Sequence, residues 1–163
     1  MSIILIGLPS SGKSTLGVLL AKSMGYKFID ADIVIQERQG RLLHEIIDEL
    51  GPEGFIEIEN EINQSITDTK AVIATGGSAV YGEKAMEHFK TLGKVVYIKI
   101  PFETMEQRLG DYAHRGVAIK AGMTLRDMYE ERIPLYEKYA DITIEGLNTM
   151  HQTVTSLVEG LKL

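Results

Sequence analysis

Three short stretches of this chain have residue types and spacings that suit phosphate chemistry. The first, Gly7-Leu8-Pro9-Ser10-Ser11-Gly12-Lys13-Ser14 with Thr15 behind it, matches G-x-x-x-x-G-K-[ST], the phosphate-binding P-loop. Gly7 and Gly12 admit backbone angles closed to other residues, so successive N–H groups around Ser10 and Ser11 can turn toward one anion. Lys13 brings a mobile positive charge to the β- and γ-phosphates of a nucleotide, and the Ser14 hydroxyl suits Mg²⁺. The second stretch is Asp30-Ala31-Asp32. In an extended segment these two carboxylates share a face roughly 7 Å apart, at ~3.3 Å per residue. One would then reach the Mg²⁺ shell while the other meets an acceptor hydroxyl; the same residues also read as a turn with an aspartate N-cap. The third, Thr75-Gly76-Gly77-Ser78, either offers backbone N–H groups to a ligand or forms a plain turn.

Two arginines stand where a kinase-like site would want cations. Arg115 lies in a glycine-bearing stretch, where a lid would carry it onto a γ-phosphate as charge develops there. Arg132, just before Pro134, reads either as a substrate anchor or as a surface ion-pair partner. His44, His88, His114 and His151 show no metal-ligand spacing. No apolar run ends in a Walker B aspartate, which argues against a motor-type ATPase.

The elements that must hold these residues follow from periodicity. Ser2–Ile6 is a β-branched run that reads as a buried parallel strand, and Leu16, Leu19, Leu20 and Met24 give Lys13–Met24 a helical stripe. Strand, glycine-rich loop and helix N-terminus in that order aim the helix dipole at phosphate. Further strands are expected at 26–31, 71–75, 94–100 and 141–144. Helices are expected over about 33–39, 41–50, from Pro52 through Phe55, Ile58, Ile62 and Ile66, over 83–92, up to 109, from the Thr124/Asp127 capping box to 139, and from about 149. Pro134 is expected to kink the helix it sits in, since it removes the N–H that would bond back to Glu130. Alternating strands and helices imply an α/β fold, a doubly wound five-stranded parallel sheet flanked by helices, with function at the carboxyl ends of the strands. The 163 residues fit one domain, with a mobile lid at about 110–123 and an acceptor-binding helical region at about 33–62.

Composition excludes several classes. The absence of cysteine removes disulfides, zinc–thiolate sites and cysteine nucleophiles, and it suits a cytoplasmic setting. A net charge of −6 with interleaved signs offers no basic stripe for nucleic acid, so a small-molecule partner is expected. The apolar run that stops at Gly7 is too short for a signal peptide or a membrane span. A monomer is expected.

Taken together, GLPSSGKSTLG, FIDAD, GPEGF with Glu59 after it, ATGGSAV, VVYI, Arg108, Arg115 and ERIPLYEKYAD resemble the shikimate kinase family over nearly the whole chain. The resemblance implies transfer of the γ-phosphate of ATP to the 3-hydroxyl of shikimate, with Mg²⁺. It implies that Lys13 and the loop amides hold phosphates, that Ser14 ligates Mg²⁺ with Asp30 in its water shell, and that Asp32 binds and helps deprotonate the acceptor hydroxyl. Gly76 and Gly77 would contact the ring, Arg108 would lie by the adenine, Arg115 would close over the phosphates, and Arg132 would pair with the substrate carboxylate. The chain departs from the family pattern in the acceptor half. Phe55-Ile56 stands where the family has a phenylalanine-arginine pair, Glu57 follows it, Ser78 replaces a third glycine, and the lid reads Arg115-Gly116-Val117. Losing a cation and gaining Glu57 points to an alternative acceptor that carries an ammonium, such as homoserine. A non-catalytic nucleotide-binding module is a further alternative, which the presence of Lys13, Asp32 and Arg115 disfavours.

Overall fold

The computed structural model describes residues 1–111, 116–146 and 150–161. Five strands, β1 (Ser2–Ile6), β2 (Lys27–Asp30), β3 (Ala71–Ala74), β4 (Gly93–Lys99) and β5 (Ile142–Glu145), form one sheet in the order β2-β3-β1-β4-β5. Every pairing is parallel, with Leu5 opposite Ala74 on one side of β1 and opposite Val96 on the other. The expected doubly wound α/β sheet is therefore the observed one.

Residues of β1 alternate between two cores, as period-two side chains must. Ile4 and Ile6 pack with Ile73, Val95, Tyr97 and Phe89 on one face. Ile3 and Leu5 pack with Val72, Val96, Leu16, Leu20 and Leu157 on the other. Helices cover both faces, which is why the central strands are continuously apolar rather than alternating. The helix α1 (Lys13–Met24) lies on the Leu5 face beside α7 (Met150–Gly160), while α4 (Glu83–Leu92) and α6 (Leu125–Tyr139) pack on the Ile4 face.

The remaining helices are α2 (Ala31–Gln39), α3 (Leu43–Gln64) and α5 (Phe102–Leu109). α3 holds both helices expected around Pro52, because Gly51 breaks the run with φ 74° and ψ 168°. Only glycine takes that backbone angle readily. α6 opens with the expected capping box: the Asp127 N–H donates to Thr124 Oγ1 at 3.1 Å, and the Thr124 N–H to Asp127 Oδ2 at 2.9 Å. Pro134 sits inside α6, which continues through it to Tyr139.

One expectation at β2 needs correcting. The strand ends at Asp30 rather than at residue 31, and Asp32 lies in the first turn of α2. The cause is local: Asp30 Oδ1 accepts the Asp32 N–H at 3.0 Å, capping the helix immediately. The two carboxylates are thus placed by a strand-to-helix corner, not by an extended segment. β5 likewise starts one residue late, because Asp141 is tied to β4. Its N–H donates to Val95 O, and its Oδ2 accepts the Val95 N–H, both at 2.8 Å.

Phe89 is fully buried against the β1–β3–β4 face. Phe89→Ala should lower the free energy of unfolding by about 3–5 kcal/mol, read from urea titration.

Candidate active site

At the carboxyl ends of β1 and β3 lies a cleft of about 420 Å³. Its wall includes Ser10, Gly12, Lys13, Ser14, Thr15, Asp32, Gly76, Gly77 and Arg132, all singled out from sequence. Gly7, Ser11, Asp30 and Arg108 stand beside the cleft rather than on it. Arg115 lies outside the described residues, as does His114.

The loop after β1 folds as its glycines and its lysine require. Gly12, at φ 94°, is the N-cap of α1 and brings no side chain to satisfy the first N–H groups of that helix. Those groups have no intrahelical partner and lie at the positive end of the dipole. The Lys13 ammonium lies inside the loop curve, donating to Gly7 O at 2.8 Å, Leu8 O at 2.7 Å and Ser11 Oγ at 3.3 Å. Burial pushes its pKa down to about 8, opposed mainly by the neighbouring Asp32. Arg108 reaches the outer lip of the loop, where Nη1 donates to Ser10 O at 3.2 Å.

Asp30 serves both neighbours. While Oδ1 caps α2, Oδ2 accepts the Ser14 hydroxyl at 2.8 Å. Ser14 and Asp30 therefore present adjacent oxygens at the loop, the donor type Mg²⁺ prefers. No cluster of three or more His, Cys, Asp or Glu capable of holding a metal alone is found among the described residues.

The turn after β3 forms the floor of the other half. Thr75 anchors it to β1, with both its N–H and its hydroxyl donating to Leu5 O at 3.1 and 2.9 Å. A Cβ on Gly76 would come within 2.7 Å of Asp32 Oδ1 and 2.8 Å of Glu59 Oε2. A Cβ on Gly77 would sit 3.1 Å from Arg132 Nη1. Two carboxyls thus converge over Gly76 and a guanidinium over Gly77. The Tyr136 hydroxyl holds the turn from below, donating to Gly77 O at 2.6 Å.

Arg132 is 1% exposed, so it is no surface ion-pair partner. Nη2 donates to Ala118 O, the guanidinium lies over the Tyr81 ring at 5.3 Å, and Nε has no partner among the described residues. Asp32 is pushed up to about 6, first by burial and then by Asp30, with Lys13 pulling it back.

Glu59 is the residue on this wall that the periodicity argument passed over. It is 1% exposed and is pushed up to about 8, by burial first and by Asp32 next. A signal existed: Glu59 falls four residues after Phe55 and three before Ile62, on the buried stripe of α3. Glu57, two residues from Phe55, is exposed and off the cleft wall, and Ile56 is off it too. That placement removes the motive for an ammonium-bearing acceptor.

A family model described as shikimate kinase matches residues 9–162. The chain is 33% identical to the shikimate kinase of Aquifex aeolicus (strain VF5), over 99% of this chain and 96% of that one. The chain belongs to the shikimate kinase family. Shikimate kinase 2 of Serratia proteamaculans (strain 568) is 31% identical, again over 99% of this chain and 96% of the relative. Among solved structures, the Aquifex aeolicus shikimate kinase superposes with a TM-score of 0.86, covering 99% of this chain and 96% of that one. A shikimate kinase from Acinetobacter baumannii in complex with shikimate gives 0.85 at 32% identity, covering 99% and 94%. Against this family background, the cleft of the present chain keeps the loop lysine, Asp32 and Arg132 in one place.

Buried acids that retain protons link stability to pH. Between their ordinary values of 3.8 and 4.5 and the raised values of about 6 and 8, folded Asp32 and Glu59 hold protons that the unfolded chain has released. Stability should therefore fall as pH rises from about 4.5 to 8. Lys13 acts in the opposite sense, but only above about 8. Urea midpoints at pH 5 and pH 8 should show the fall, and Glu59→Gln should shrink it.

Proposed function

We propose that this chain transfers the γ-phosphoryl group of ATP to a hydroxyl of shikimate. The observation that carries the reading is Arg132. It is a buried guanidinium with an unpartnered Nε, set over Gly77 in the same cleft as Asp32 and the phosphate loop. A buried guanidinium on a cleft wall is stabilised by an anion, and a carboxylate meets its planar fork well.

The residues divide the work by position. Bound Mg-ATP supplies the phosphoryl group and a divalent charge. The unpaired N–H groups at the start of α1, with Lys13, hold phosphate oxygens; Ser14 and Asp30 hold the metal and its water. Asp32 orients the acceptor hydroxyl and takes its proton, a task its raised pKa of about 6 suits. Gly76 and Gly77 leave space for the ring, and Arg132 fixes the far end by its carboxylate. Arg108 borders the nucleotide. Phosphoryl transfer needs positioning and charge neutralisation above all, and these groups provide both.

The deciding experiment is ADP release with Mg-ATP against a panel of small hydroxylated acids and amino acids. Turnover should depend on shikimate; phosphorylation of another alcohol with shikimate inert would overturn the assignment. Arg132→Ala should raise the shikimate KM roughly a hundredfold, the loss of ~2–3 kcal/mol from one charged hydrogen-bonding partner. Asp32→Asn should lower kcat by about 10²–10⁴ while nucleotide affinity, read by calorimetry, changes little.

A further inference from the structure

Arg132 is buried yet has no ion pair among the described residues; a backbone carbonyl and an aromatic face hold it instead. The face belongs to Tyr81, the last residue of a 3₁₀ turn, Ala79–Tyr81, that follows the Gly76-Gly77 floor. The Tyr81 N–H donates to Ser78 O at 3.1 Å, which fixes the ring relative to that floor. A π face attracts a cation without neutralising it. It sets the plane of the guanidinium and leaves the N–H groups at its edge for a carboxylate; an acid of the protein would occupy that edge.

A second cation shares the ring. Lys120, on the segment that leads into α6, brings Nζ to 4.5 Å from the ring centre and donates to Glu131 Oε1 at 2.9 Å. Glu131 immediately precedes Arg132 on α6, and the Arg132 charge acts on it. The Tyr81 hydroxyl first, and Lys120 next, hold its carboxyl below the usual carboxylate range, so it is ionised at pH 7. Glu59 also faces Arg132, but burial pushes it up to about 8 and leaves it neutral there. Glu131 is thus the ionised acid placed to compete for the guanidinium, and Lys120 is what holds it. The same segment supplies Ala118, whose carbonyl accepts from Arg132 Nη2.

We propose that Tyr81, Lys120 and Glu131 position Arg132: the ring holds the face of the guanidinium, and Lys120 keeps Glu131 off the edge that the acceptor's carboxylate needs. This rests on the acceptor assignment above. Lys120 then favours an anion it does not touch, by restraining an acid.

Steady-state kinetics with shikimate and with its uncharged carboxamide test the device. Lys120 and Glu131 are both partly exposed, so their replacement leaves the core intact. Lys120→Met should raise the shikimate KM about fivefold, with kcat and the ATP KM within about twofold, and should leave the carboxamide within about twofold. Glu131→Gln alone should leave the shikimate KM within about twofold, and Lys120→Met with Glu131→Gln should restore it. Tyr81→Leu should raise the shikimate KM about tenfold, and Tyr81→Phe, which keeps the face, should recover most of that loss. Failure of the double variant to recover would overturn the proposal. So would an opposite shift in Glu131→Gln alone, the mark of a plain field effect, or equal losses on both acceptors, the mark of a merely structural role. In each of those cases wild-type turnover of shikimate leaves the acceptor assignment standing. Absence of that turnover would remove the assignment and this inference with it.

Discussion

The parallel pairing of β1 with β3 is the constraint on which the site depends. Leu5 lies opposite Ala74, so the two strands end level, and the chain leaves each at the same edge of the sheet. Thr75 locks that edge by donating twice to Leu5 O. From there the exit of β1 forms the phosphate loop and that of β3 the Gly76-Gly77 floor, with the cleft between them. A slip of one residue in this register would exchange the residues that β1 sends to its two cores and undo both packings at once. The hydrophobic cores therefore fix the distance between the two substrates' binding surfaces.

The same gap concentrates charge. Lys13, Glu59 and Arg132 are nearly closed to solvent beside a partly buried Asp32, an unfavourable arrangement unless the charges offset one another. The shifts run as the environment dictates: the acids move up and the lysine moves down. What burial takes from stability it gives to the chemistry, since charges act more strongly where water is excluded.

Most of the fold and the nucleotide half were legible in the sequence. The loop signature fixes its residues by local backbone chemistry, and the strands announce themselves as short apolar runs. The strand-to-helix corner was only half visible, because Asp30 is at once the cap and the oxygen beside Ser14, and the pattern allowed either reading. Glu57 misled, since a charge adjacent to a motif position is turned outward by the helix, and one residue of helix is a rotation of about 100°. Glu59 lies within the family pattern, but its neighbours Ser78 and Gly76 are distant in sequence and are brought near by β3. Arg132 was undecided for the same reason: nothing local distinguishes an exposed arginine from one under Ala118 and Tyr81.

Asp30 carries a last implication. One carboxyl group both starts a helix and stands beside the loop hydroxyl, so two unrelated demands fall on a single position. Helix initiation alone would accept asparagine or serine there, and a metal shell alone would accept the acid at several nearby positions. Only aspartate at this corner meets both. The phosphate-loop side of the cleft is thereby pinned by its own folding, whereas Ile56 lies off the cleft wall. Changes of diet, for a chain built this way, begin on the acceptor wall.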